Sequence, residues 1–102
     1  RSYISGTGTI DADGKVGAIG GIKYKILATG RYGARYFLAP RENCDSIVKM
    51  QAQDPDLFNY YHAGQVRGTM VVVPVSTLDE AVKTVEAIKA GTPDDSLPRC
   101  GS

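Results

Sequence analysis

The chain has 102 residues, 42% of them hydrophobic and 23% charged, with a formal net charge of +1. That is enough for one modest core. It excludes a strongly basic nucleic-acid binder, and no apolar run approaches the roughly 18 residues that cross a membrane. No secretory leader is visible and the first residue is not Met, which predicts a processed or excised chain. Cys44 and Cys100 are the two cysteines; they are a pair of thiols by default in a cytosolic protein or one disulfide in an exported one.

In chain order, Tyr3 to Ile10 predicts a strand, and Asp11 to Gly14 a turn in which Asp13-Gly14 suits positive φ. Lys15 to Ile19 is the returning strand, broken by Gly20-Gly21. From Ile22 the period becomes helical through Ile26 and Leu27, with Gly30 or Gly33 as the stop. Ala34 to Pro40 is a non-alternating apolar strand, expected to be buried on both faces. Asn43 reads as the cap of a following helix. Residues 51–68 carry no clear period, and Asp54-Pro55 opposes a continuous helix. Thr69 to Val75 is the strongest strand, with Pro74 placing it at an edge or exit. Thr77 and Glu80 form a capping box for a last helix whose stripe is Leu78, Ala81, Val82, Val85 and Ile88. Asp94-Asp95 reads as part of a solvated tail. The order ββαβαβα predicts an α+β domain, helices packed on a small sheet.

The glycine-rich stretch Asp13 to Lys25 invites a phosphate-loop reading, which its spacing refuses. Gly21 is followed by Ile22 rather than Lys-Ser/Thr, and Gly6-x-Gly8 has Asp11 where a dinucleotide fingerprint needs glycine. No nucleotide is expected. His62 stands alone, so no metal is expected either. Tyr24, Tyr32, Tyr36, Tyr60 and Tyr61 with Arg31 and Arg35 read as packing and surface residues rather than a nucleic-acid footprint. Lys25 borders the Ile22/Ile26 stripe near a helix start. A lysine there is expected to be partly desolvated, and burial together with the helix N-terminus favours the neutral amine that general-base chemistry needs.

Thr7-Gly8, Gly14, Ile19-Gly20-Gly21, Lys25 and Leu38-Ala39-Pro40 with Asn43 resemble, at matching spacing, the second half of the Lon protease proteolytic domain. Val71 to Val82 is similar to that domain's closing strand and helix. The wording is nearest to bacterial PDZ-containing Lon-like proteins, including an ending in Leu-Pro-x-Cys. The resemblance implies a Lon proteolytic-domain-like fold over residues 1–91 and a polar tail over 92–102. It implies a Ser–Lys dyad endopeptidase, free of cofactor, with Lys25 as the general base and Thr7 as a supporting hydroxyl. It implies polypeptide substrates, the remainder of the protease domain upstream as a partner, and homo-oligomeric assembly. An outward-facing, membrane-anchored parent is implied as well, and with it a Cys44–Cys100 disulfide tethering the tail. The family's nucleophile motif does not occur here. Of Ser2, Ser5, Ser46, Ser76, Ser96 and Ser102, only Ser5 lies near the site-forming strand, and it does not match the nucleophile position. The expectation is therefore a chain that carries the base without the nucleophile and is inactive alone. The alternative is a non-catalytic module that keeps the fold for assembly or partner binding.

Overall fold

The computed structural model describes residues 3–101; Ser2 and Ser102 lie outside them. The elements run β1 (Tyr3–Gly6), β2 (Thr9–Ile10), β3 (Val16–Gly17), α1 (Ile22–Arg31), β4 (Ala34–Pro40), α2 (Cys44–Gln53), β5 (Asn59–His62), β6 (Gln65–Thr69), β7 (Val71–Val75) and α3 (Leu78–Lys89). Short 3-10 turns occupy Arg41–Asn43, Pro55–Phe58 and Asp94–Ser96. The result is a mixed α/β domain built on a parallel sheet of order β1-β4-β7.

β4 is the central strand, and its side chains alternate between two cores. Phe37 and Ala39 join Ile22, Ile26, Ile47, Leu57, Phe58, Met70 and Val72 on the face covered by α1 and α2. Tyr36 and Leu38 join Val73 and Leu97 on the opposite face, against α3. That two-sided burial explains the continuous apolar run. Pro74 is tolerated because β7 is an edge strand and Pro74 pairs only with Ala39.

The expected strand Tyr3 to Ile10 divides. β1 joins the sheet, while β2 turns away to pair antiparallel with β3. The break falls at Thr7-Gly8, with a glycine on either side of Thr7. A Cβ on Gly8 would lie 2.8 Å from Val16 Cγ1, and one on Gly6 3.2 Å from Leu38 Cβ. The β2–β3 turn closes as its sequence predicts: Asp11 Oδ1 accepts from the Asp13 and Lys15 amides at 2.9 Å each, and Gly14 has φ 80°. Residues 51–68, without a period, hold the end of α2, a 3-10 turn and most of the β5–β6 hairpin. Its turn residues Ala63 and Gly64 both have positive φ, 52° and 78°. That is the primed geometry that fits strand twist, made here without the Asn-Gly or Asp-Gly signature.

Helix ends bring further corrections. Gly33 (φ 95°) terminates α1, whereas Gly30 lies inside the helix, where a Cβ would collide with the Asn59 carbonyl oxygen. Gly30 is therefore the residue that lets α1 sit directly on β5. Asn43 precedes α2 but makes no side-chain cap; its amide is spent elsewhere. Thr77 does cap α3, accepting from the Glu80 amide at 3.1 Å, and the Glu80 carboxylate accepts from the Ser76 amide. The α3 stripe is only half covered. Ala81, Val85 and Ile88 pack on the core, while Leu78 and Val82 remain 46% and 48% exposed.

The tail is not a solvated appendage. Leu97 is buried, Asp94 bonds to β4, and a Cys44–Cys100 disulfide joins the tail to the start of α2. No helix among the described residues is long and apolar enough to cross a membrane.

Candidate functional site

The glycine pivot is held from behind by the 3-10 turn after β4. The Asn43 carboxamide pairs with both backbone groups of Ile19: Oδ1 accepts its N–H and Nδ2 donates to its carbonyl, each at 3.2 Å. Glu42 Oε1 accepts the Ala18 amide at 2.9 Å. Two side chains thus imitate a strand edge for a segment that has none. Asn43 is buried, so losing either bond would strand a polar group away from water. Beyond this anchor Gly21 adopts a left-handed conformation (φ 69°, ψ 24°) and becomes the N-cap of α1. Only glycine holds that conformation without steric cost. The positioning role of Asn43 was hidden in the sequence, where Asn before a helix signals a cap.

Lys25 lies at the fourth position of α1. It is exposed, contrary to the expected partial desolvation. The apolar neighbours Ile22 and Ile26 face inward, and no second layer of described residues covers the outer side of the helix start. No acidic residue occupies the first turn of α1.

Ser5 and Thr29 join β1 to α1, their hydroxyl oxygens 3.1 Å apart. Ser5 is thus engaged with a helix hydroxyl. Thr29 is four residues after Lys25, so the two share one face of α1. Thr7 follows Ser5 by two and lies just past β1, which ends at Gly6. Its amide continues the β1–β4 ladder by donating to the Leu38 carbonyl at 3.1 Å. Thr7 also lines a mainly apolar hollow of about 270 Å³ with Gly6, Gly8, Val16, Leu38 and Leu78, a lining that does not include Lys25. The other serines stand apart: Ser76 accepts from Arg41 Nε at 3.0 Å, Ser46 is on α2 and Ser96 is in the tail. His62 ends β5 at the surface, and the described residues form no cluster suited to a metal ion.

The tail contributes one charged cluster. Asp94 accepts from Arg35 Nη2 at 3.0 Å and from the Tyr36 hydroxyl at 2.5 Å. The Tyr36 hydrogen bond, with that of Arg35, holds the Asp94 carboxyl below the usual aspartate value against the opposing effect of burial. Burial, followed by the bond to Asp94, pushes the Tyr36 phenol up.

Comparison with known proteins gives a consistent result. The model of the Lon protease (S16) C-terminal proteolytic domain matches residues 1–87. The Lon protease of Chloroflexus aggregans is 34% identical over 83 residues, covering 81% of this chain and 9% of that protein. The Lon proteases of Azospirillum brasilense and Brucella abortus are 35% and 36% identical over the same length and shares. This chain therefore spans about a tenth of the relatives it matches. No solved structure matches significantly.

Proposed function

Because the chain belongs to the Lon protease (S16) C-terminal proteolytic domain family, we propose that it supplies the base-bearing part of a Ser–Lys endopeptidase. Lys25 is the general base, Thr7 the hydroxyl that supports it, and the nucleophilic serine comes from the remainder of the protease domain. Polypeptides are the substrate. The observation that carries this reading is the Ser5–Thr29 contact at 3.1 Å. It sets a register between β1 and α1. The Tyr32-Gly33 turn reverses α1 into β4, and β4 is parallel to β1, so β1 and α1 run in opposite senses. Two residues along a strand advance about 6.6 Å, and four along a helix about 6 Å. The chain from Ser5 past Thr7, whose amide still bonds the Leu38 carbonyl, therefore runs in the same sense as the step back from Thr29 to Lys25.

In the reaction, the serine oxygen attacks the peptide carbonyl carbon while its proton passes to the neutral Lys25 amine. The tetrahedral intermediate collapses, and the same proton goes to the leaving amine. Water then repeats the sequence on the acyl-enzyme. General-base chemistry needs the neutral amine, which burial favours. An exposed Lys25 thus needs a cover, which the rest of the protease domain and the bound substrate provide. The glycine pivot and its Asn43 anchor hold the start of the helix while that cover forms.

The parent protein is placed by this reading in the PDZ-containing, membrane-anchored, outward-facing branch of the family. The Cys44–Cys100 disulfide supports an oxidising compartment. The test uses the full-length parent with an unfolded protein substrate. Lys25→Ala and Lys25→Arg lower turnover by about 10²–10⁴-fold, and Thr7→Val shifts the acid limb of the pH–rate profile upward. Undiminished cleavage by Lys25→Ala removes Lys25 as the base and leaves a non-catalytic assembly module. A cytosolic parent with reduced thiols overturns the compartment.

A further inference from the structure

The end of α1 opposite Lys25 borders an open hollow of about 510 Å³ between the start of β4 and the β5–β6 hairpin. Arg31, Arg35 and Arg67 reach it from α1, β4 and β6, and Tyr60, Tyr61 and His62 supply much of the remaining wall. No acidic residue lines it, although the chain as a whole nearly balances its charges. The hollow is built from close backbone approaches. A Cβ on Gly33 would lie 3.0 Å from the Tyr61 carbonyl, and one on Gly68 3.1 Å from the Tyr60 ring. Aromatic faces orient two of the cations: the Arg31 guanidinium lies over the Tyr61 ring at 5.9 Å and that of Arg35 over Tyr36 at 5.4 Å. Such stacking leaves the N–H edges free to donate. Arg35 already shows the preferred partner, donating to the Asp94 carboxylate at 3.0 Å. Arg41 and Arg99 are also hydrogen-bonded within the fold. The Arg31 and Arg67 side chains make no ion pair or hydrogen bond among the described residues.

We propose that this hollow is a docking site for an acidic polypeptide segment, whose Asp or Glu carboxylates occupy the free guanidinium edges of Arg31 and Arg67. The cations are all arginine, whose planar fork matches a carboxylate with two parallel hydrogen bonds. The tyrosines add rigid contact area for the neighbouring residues of the segment at little entropic cost. A nucleic acid would need a longer basic track, and no lysine is among the residues lining this one. Arg31 lies six residues from Lys25, roughly 9 Å along the helix axis. Docking is therefore measured by binding, without cleavage as its readout.

The experiment is fluorescence anisotropy with a labelled peptide alternating Glu and Ser, its Gln counterpart, a single-stranded oligothymidylate and inorganic phosphate as competitor. The Glu peptide is expected to bind at least about tenfold more tightly than the Gln peptide. Arg31→Gln and Arg67→Gln each weaken it about tenfold, the scale of one charge-assisted pair. Arg31→Lys loses most of that affinity despite its charge, while Lys83→Gln on α3 changes nothing. Arg67 projects from an exposed hairpin strand, so its variant carries the test if Arg31→Gln disturbs the stack on Tyr61. Equal binding of the Gln peptide, or unchanged affinity in both Arg→Gln variants, overturns the proposal. So does displacement by phosphate at a concentration like that of the peptide, or tighter binding of the oligothymidylate.

Discussion

Replacing Cys44 and Cys100 together with alanine is expected to lower the unfolding free energy by about 4 kcal/mol. The bridge closes a loop with a sequence separation of 56. In the chain-entropy model, a loop of that size removes about 14 cal/mol/K from the unfolded ensemble, or about 4 kcal/mol at 25 °C. For a domain of this size such a loss corresponds to a fall of about 20 °C in Tm. The native contacts argue for the full figure rather than local fraying. Leu97 is buried in the α3-side core, and Asp94 is bonded to Arg35 and Tyr36, so the tail stays docked without the bridge. The cost then falls on the unfolded state. Urea denaturation of the oxidised wild type and the double variant, followed by far-UV dichroism, measures it. The m-value should rise as well, because the unbridged unfolded chain exposes more surface. Amide exchange at Leu97 separates the two cases. A loss under about 1 kcal/mol with Leu97 still protected would refute the entropic reasoning. A small loss with Leu97 unprotected would show that the tail detaches alone.

Four further outcomes are expected. The Asp94 carboxyl, lowered chiefly by the Tyr36 hydrogen bond, should titrate below the ordinary 3.8 when followed by carboxyl chemical shifts. Because this folded-state value is depressed, its contribution to stability is complete above the ordinary value and is lost as pH falls through the lowered one. Tyr36→Phe should move the midpoint back up. Gly30→Ala should destabilise despite a helix-propensity gain of about 1 kcal/mol, because the added methyl meets the fixed Asn59 carbonyl. Gly20→Ala, with nothing within 4 Å of its Cβ, should be neutral or slightly stabilising in the same urea denaturation. Asn43→Ala should cost about 1–3 kcal/mol, since it strands the backbone groups of Ile19, and amide exchange at Ile19 should accelerate; unchanged exchange there would contradict the anchoring role.

Local chemistry made several elements legible in the residues. Thr77 with Glu80 marked the start of α3, Asp13-Gly14 the first hairpin turn, and the unbroken apolar run of β4 a strand buried on both sides. Those signals depend on neighbours within about four positions, which a sequence displays directly. The Lon family likeness was also readable, through the spacing of Gly14, Gly20-Gly21, Lys25, Pro40 and Asn43.

What tertiary structure alone decided are the contacts between distant residues. Gly30 and Gly33 were both candidate helix stops; Gly33 is the stop, and Gly30 proved to be the place where α1 touches β5. Asn43 looked like a cap and instead holds Ile19, twenty-four positions away. Asp94 looked solvated and binds β4 across more than half the chain. The exposure of Lys25 ran against its apolar neighbours, because a helical stripe tells which side faces the core but not whether anything covers the other. The same reason hid the arginine hollow: Arg31, Arg35 and Arg67 come from three elements, and only packing brings them together.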